Sequence, residues 1–257
     1  MRIARFAHQQ GISFGGLHGD PDAGVDHADQ VRIAEIKDHP FGTPEFTGRT
    51  WGLPDVRLLS PVLPSKVIGV GRNYANGGRP QRPLIFLKPS SSVIGPGMPI
   101  RLPWDSEQVD FEGELAVVIG TVLREATEDS ALDGVLGYTC ANDITARDQQ
   151  KADGQWTRAK GHDTFCPLGP WLETSLDPFD VSVRTAVDGT LRQDGTTSDM
   201  IFDVREIVAF VSSVMTLLPG DVILTGTPAG MGPLSPGQTV SVTIDGIGTL
   251  SNPVEER

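Results

Sequence analysis

Phe111-Glu112-Gly113-Glu114-Leu115-Ala116-Val117-Val118-Ile119-Gly120 is the stretch on which the reading of this chain turns. Leu115 to Ile119 is an unbroken apolar run rich in β-branched residues, so it reads as a strand headed for the core. Side chains alternate along a strand, and Glu112 and Glu114 therefore leave from the same face. Two carboxylates side by side at the mouth of such a strand repel each other and lose hydration. A divalent cation resolves both costs. Gly113 between them lets another backbone or a ligand come close. The alternative is a solvated strand end with two surface glutamates, and the motif by itself leaves both open.

Similar apolar runs lie on either side. Ser65 to Gly71, Leu84 to Lys88, Val135 to Asp143, Asp221 to Gly226 and Thr239 to Ile244 all read as strands bounded by glycine, proline or polar turns. Two helices are expected. One lies around Glu128 to Gly134. The other starts at Asp203, with Glu206 completing a capping box, and continues to the Pro219-Gly220 stop. Strands outnumber helices without alternating regularly with them, which predicts an α+β, β-rich fold with a few covering helices. Residues 1–62 differ in character, with short alternating stretches such as Arg2 to Phe6. They are read as a small N-terminal β-rich domain before a larger domain over 63–257.

A third acid would complete a cation site. Asp143 is the best placed, at the end of the Val135 run, with Asp110 and Asp148 as weaker rivals. Three carboxylates without histidine suit a hard cation, Mg²⁺ or Mn²⁺. Gln155 to Pro167 has the look of a loop. Within it Lys160 can present an ammonium to an anionic substrate, move a proton if its pKa is lowered, or be a plain surface lysine. Thr225-Gly226-Thr227-Pro228 closes a strand with a hydroxyl and backbone donors that can hold a carboxylate, or is a simple turn.

Composition narrows the class. The chain has 257 residues, with 33 acidic against 21 basic ones, a net charge of −12. That balance argues against nucleic acid and anionic membranes as partners. There is no apolar run of about 18 residues to cross a bilayer and no signal-like apolar region near Met1. Two cysteines, Cys140 and Cys166, cannot build a disulfide framework, so a cytoplasmic setting is expected. Gly11-Ile12-Ser13-Phe14-Gly15 has the letters of a nucleophile elbow, but the glycine-rich residues after it cannot form the required helix.

The motifs together resemble the fumarylacetoacetate hydrolase family, in its smaller bacterial branch, over about residues 65–254. Carrying that likeness are Leu84-Ile85-Phe86-Leu87-Lys88-Pro89, Phe111 to Ala116, Asn142-Asp143-Ile144-Thr145-Ala146-Arg147-Asp148, Gln155-Trp156-Thr157-Arg158-Ala159-Lys160-Gly161, Thr197 to Phe202 and Pro219 to Pro228. The resemblance implies a mixed β-roll catalytic domain, assembled as a homodimer. It implies Mg²⁺ or Mn²⁺ at Glu112, Glu114 and Asp143. Lys160 and Arg147 would act in catalysis, and Gln150, Thr227 and Tyr74 would bind substrate. The substrates it implies are small anionic 2-oxo acids.

One departure stands out. After the pair matched by Asn73-Tyr74, the family carries a short helical lid whose histidine and glutamate activate water. Here Tyr74-Ala75-Asn76-Gly77-Gly78-Arg79-Pro80 runs almost directly into the next strand with neither residue. The expected activity is metal-dependent hydrolysis of a C–C bond in an acylpyruvate-like acid. The alternatives are isomerisation or decarboxylation of a hydroxymuconate-type diacid or oxaloacetate, and carboxylate binding without turnover.

Overall fold

The apolar run after Glu112 is a strand, Gly113–Ile119, and all seven of its residues are buried. In the computed structural model, which describes residues 1–19, 30–74 and 79–256, it lies inside the largest sheet. Its two faces serve two cores. Leu115, Val117 and Ile119 pack with Val183, Val242 and Ile244. Ala116 and Val118 pack with Ala141, Leu168 and Leu224. A strand covered on both sides cannot alternate apolar with polar residues, which is why this one reads as a continuous apolar run.

The large sheet runs in the order Phe46–Gly52, Arg32–Ile36, Gly11–His18, Arg2–His8, Cys166–Glu173, Val135–Asn142, Gly113–Ile119, Val222–Leu224, Val67–Gly71, Leu84–Lys88. The N-terminal strands extend this same sheet, because Arg2–His8 pairs antiparallel with Cys166–Glu173 through Ile3 and Leu172. A second sheet of five strands includes Ser182–Val187, Thr239–Ile244 and Gly248–Glu256, and stacks against the first. A small third sheet joins Val109–Phe111, Thr145–Ala146 and Gly232–Pro233. The fold is α+β and β-rich, as expected. Cys140 and Cys166 are buried and form no disulfide. Among the described residues no helix is long and apolar enough to cross a membrane.

The helices differ from expectation in three places. Residues 128–130 are not helical, and only Ala131–Gly134 forms a single 3₁₀ turn. The Ser130 hydroxyl accepts from the Thr127 amide at 3.1 Å, and this local bonding competes with a helix start. Helix α1, Arg147–Asp153, was not foreseen, and the stretch from Gln155 read as a loop opens with helix α2, Thr157–Gly161. Gly154, with φ of 67°, separates them in a left-handed conformation. Both helices are too short to show a helical period in sequence.

Helix α3, Val204–Val214, has the capping box that was expected. The Asp203 carboxylate accepts from the Glu206 amide, and Glu206 accepts from the Asp203 amide, each at 3.0 Å. It ends before the Pro219-Gly220 stop. Ser212 and Ser213 donate their hydroxyls to carbonyls three residues back, and Leu217 leaves to pair with Leu123. Replacing Asp203 with alanine should cost about 1 kcal/mol and lower the melting temperature by about 2–4 °C, measured by thermal unfolding.

Candidate active site

Strand register brings the acids together. Gly113 pairs with Asn142, so the residue before one strand, Glu112, faces the residue after the other, Asp143. The Asp143 amide donates to the Glu112 carbonyl at 2.8 Å, and the Glu112 amide donates to the Asn142 side chain at 2.9 Å. Glu114, two residues along, leaves from the same face as Glu112. Ligand oxygens of Glu112, Glu114 and Asp143 lie within 4.8 Å of one another, and all three residues are buried. Asp110 and Asp148 stand apart from them. Asp110 accepts from Arg147, and Asp148 accepts from Ser106 and the Glu107 amide.

Gly113 is tightly enclosed. A side-chain carbon there would come within 2.0 Å of the Thr185 hydroxyl from the second sheet. Its amide donates to Gln193 at 2.9 Å, and its carbonyl accepts from the Thr227 hydroxyl at 2.8 Å. The close approach foreseen at this glycine is therefore made by the facing sheet rather than by a ligand.

Three cations meet the carboxylates. The Lys160 ammonium donates to Glu112 at 2.7 Å and also bonds Asp143. Lys88, fully buried at the end of Leu84–Lys88, donates to Asp143 at 2.5 Å and to the Ile144 carbonyl at 3.1 Å. The Arg147 guanidinium reaches Glu112 at 2.5 Å, Asp110 at 2.9 Å and Gln150 at 2.8 Å. Among the described residues no cation bonds Glu114, which accepts from the Gly226 amide at 2.7 Å.

These environments separate the acids. Burial pushes the Glu114 carboxyl well above its ordinary range, and the charges of Asp143 and Glu112 push it further. Burial also acts to raise Asp143, but Lys160 and Lys88 outweigh it and hold Asp143 below the usual value. Burial alone would lower Lys160, yet Asp143 and Glu112 outweigh it and raise its pKa. Lys160 is therefore a charged donor here, and the lowered pKa considered for it in sequence does not arise. The Tyr74 hydroxyl is buried without a hydrogen-bond partner among the described residues, and burial followed by the Glu114 charge raises its pKa.

All eight residues singled out in sequence line one cavity of about 330 Å³: Glu112, Glu114, Asp143, Lys160, Arg147, Gln150, Thr227 and Tyr74. The Thr227 hydroxyl is already engaged, donating to Gly113 and accepting from Gln193 at 2.7 Å. Phe86, Trp156, Val70 and Met231 form the apolar part of the wall, and Arg72 completes it. His162 lies outside this wall and meets Gln149 at 2.8 Å. Sequence reasoning assigned no role to Lys88 or Gln193. A lysine ending an apolar strand was a usable signal, whereas Gln193 stands in a polar, mostly exposed strand and gave none.

The residues fit a divalent cation. Three oxygen donors converge, and no cation among the described residues bonds the Glu114 carboxylate.

Comparison with known proteins places these features in context. Residues 66–255 match the family described as fumarylacetoacetate (FAA) hydrolase, C-terminal, and residues 1–61 match one described as Rv2993c-like, N-terminal. Protein Rv2993c of Mycobacterium tuberculosis is 55% identical over 263 residues, spanning 99% of this chain and 98% of the relative. A crystal structure of 5-carboxymethyl-2-hydroxymuconate delta-isomerase from Mycobacterium smegmatis is similar at a TM-score of 0.95 and 55% identity, with 100% of both chains covered. Maleylpyruvate hydrolase from Sphingobium sp. SYK-6, in complex with manganese(II) ion and pyruvate, is similar at a TM-score of 0.80 and 31% identity, over 100% of this chain and 99% of that one.

Substituting Lys88 by methionine should leave Asp143 with one buried cation in place of two. We expect a loss of about 3 kcal/mol in unfolding free energy, measured by urea titration.

Proposed function

The chain belongs to the fumarylacetoacetate hydrolase family, and on that premise we propose that it isomerises an unsaturated 2-oxo acid through an enolate, with Mg²⁺ or Mn²⁺ as its cofactor. The observation that carries this reading is the make-up of the cavity wall. It holds three clustered carboxylates, the cations Lys160, Arg147 and Arg72, and the hydroxyls of Tyr74 and Thr227. Among the described lining residues there is no histidine, and no carboxylate outside the cluster, to take a proton from water. Only Ala75-Asn76-Gly77-Gly78, which lie outside the described residues, separate Tyr74 from Arg79, and none of the four is a base. Hydrolysis of a C–C bond needs such a base, whereas a shift of one proton does not need an activated water.

A cation held by Glu112, Glu114 and Asp143 would supply Lewis acidity toward a 2-oxo-carboxylate. The chain's own groups do the rest. Lys160 Nζ, held protonated by its carboxylate partners, can hydrogen-bond an enolate oxygen and lend or recover a proton there. The Arg147 guanidinium, steadied by Asp110 and Gln150, can pair with a substrate carboxylate. The Tyr74 hydroxyl is a donor without a partner among the described residues and gains one when a substrate oxygen arrives. Phe86 and Trp156, with ring centres 5.3 Å apart, face the carbon chain and keep water from it.

Hydrolysis of an acylpyruvate-like acid is the second reading. It is favoured by the likeness to the maleylpyruvate hydrolase that holds manganese and pyruvate. A panel assay with Mg²⁺ or Mn²⁺ separates the two. We expect accelerated keto–enol or double-bond isomerisation of oxaloacetate and of a hydroxymuconate-type diacid, followed by ultraviolet absorbance. Release of pyruvate from acylpyruvates without isomerisation would establish the hydrolase instead. Binding without turnover of any of them would reduce the protein to a carboxylate-binding one.

Glu114→Gln should lower turnover at least about 100-fold and abolish the thermal shift given by Mg²⁺ or Mn²⁺. In EDTA its melting temperature should stay level or rise, because one of three neighbouring like charges is gone and the glutamine oxygen still accepts from Gly226.

A further inference from the structure

Arg72 is the cation of the cavity that the chemistry above does not employ. Its side chain is exposed and lines the cavity. Arg147 and Lys160 are each tied to two carboxylates, but no acid, carbonyl or ring among the described residues engages Arg72. Its backbone is also unusual, with φ of 60°, a left-handed conformation that side chains other than glycine, asparagine and aspartate adopt at a cost.

The next residue holds that conformation in place. Asn73 is buried, and its amide group donates to the Phe202 carbonyl at 3.0 Å and the Thr225 carbonyl at 2.8 Å. Its side-chain oxygen accepts from the Phe202 amide at 2.9 Å, and its backbone carbonyl accepts from the Ile201 amide at 2.7 Å. Gly71, on the other side, is packed so closely on Trp156 that a side-chain carbon would lie 2.7 Å from the indole. Arg72 is thus presented from a rigid base, with its charge unspent.

We infer that Arg72 binds the far carboxylate of a 2-oxo diacid and makes the cavity select diacids over monoacids, an inference that rests on the function proposed above. The wall supports it. The wall holds the carboxylates with Lys160 and Arg147, suited to a 2-oxo-carboxylate, together with the apolar Phe86, Trp156 and Val70 and the cation Arg72. A ligand that engages all three kinds of group has an anionic head, an unsaturated or aliphatic middle and an anionic tail. A guanidinium also suits a carboxylate geometrically, since it can bond both oxygens at once.

The test is calorimetry on the full chain loaded with Mn²⁺, using pyruvate and a series of 2-oxo diacids from 2-oxoglutarate to 2-oxopimelate. The wild type should bind the best diacid at least about tenfold tighter than pyruvate, a gap that narrows with added salt. Arg72→Asn should bring that diacid to the level of pyruvate while pyruvate itself binds as before, and Arg72→Lys should restore part of the gap. Asparagine tolerates the left-handed backbone, so Arg72→Asn should melt no lower than the wild type, which sets misfolding aside. Equal weakening of pyruvate and diacid, or no change in either, overturns the role of Arg72 and leaves the enzymatic reading standing. A wild type that binds neither acid overturns both.

Discussion

Burying three carboxylates in one place is the constraint around which this molecule is organised. Unpaired, each buried charge would cost several kcal/mol, and together they would repel. The fold answers by ending four of its segments at the same point. The small sheet hands Glu112 to the large one, the neighbouring strand leads directly into Asp143, the outermost strand of that sheet delivers Lys88, and α2 delivers Lys160. Arg147 comes from the first position of α1 and ties Glu112 to Asp110. Compensation is incomplete by design of the chain, because Glu114 keeps a charge problem that only protonation or a bound cation relieves.

A short connection of four residues follows Tyr74. Its two flanks are fastened to the same pair of residues. Asn73 bonds the backbone of Ile201 and Phe202, and Arg79 donates to the Ile201 carbonyl at 2.6 Å while its guanidinium lies 4.6 Å from the Phe202 ring. Two anchors on one dipeptide leave only a brief span between them. The four residues between them, Ala75-Asn76-Gly77-Gly78, include neither histidine nor glutamate. The described polar groups of the cavity come chiefly from the sheet ends and from α1 and α2.

Much of this could be read from residue order. Long apolar runs declared the central strands, and the Asp203–Glu206 pair declared the start of α3, because each signal is local and repeated. The acids at 112, 114 and 143 stood out for the same reason: charges beside apolar runs are costly and so conspicuous. What escaped notice depends on distant partners. The helical state of α1 and α2 comes from packing and from the turn at Gly154, and seven- and five-residue segments show no period. The partnership of Lys88 with Asp143 spans 55 residues, and that of Gln193 with Gly113 spans 80. No local pattern encodes contacts of that reach. The N-terminal residues looked separate in composition, yet strand pairing draws them into the main sheet.

The packing at Gly113 has a consequence for how such a protein can change over generations. The back of the site is cast between two sheets, with Thr185 and Gln193 pressed on the glycine that spaces the two glutamates. Almost any mutation there breaks the seam between the sheets before it can alter selectivity, so inheritance has little to work with. The cavity wall also carries Arg72, Ala229 and Met231, exposed side chains that can be exchanged without disturbing a core. Descendants of this chain would therefore keep one reaction centre and diverge in what they admit to it.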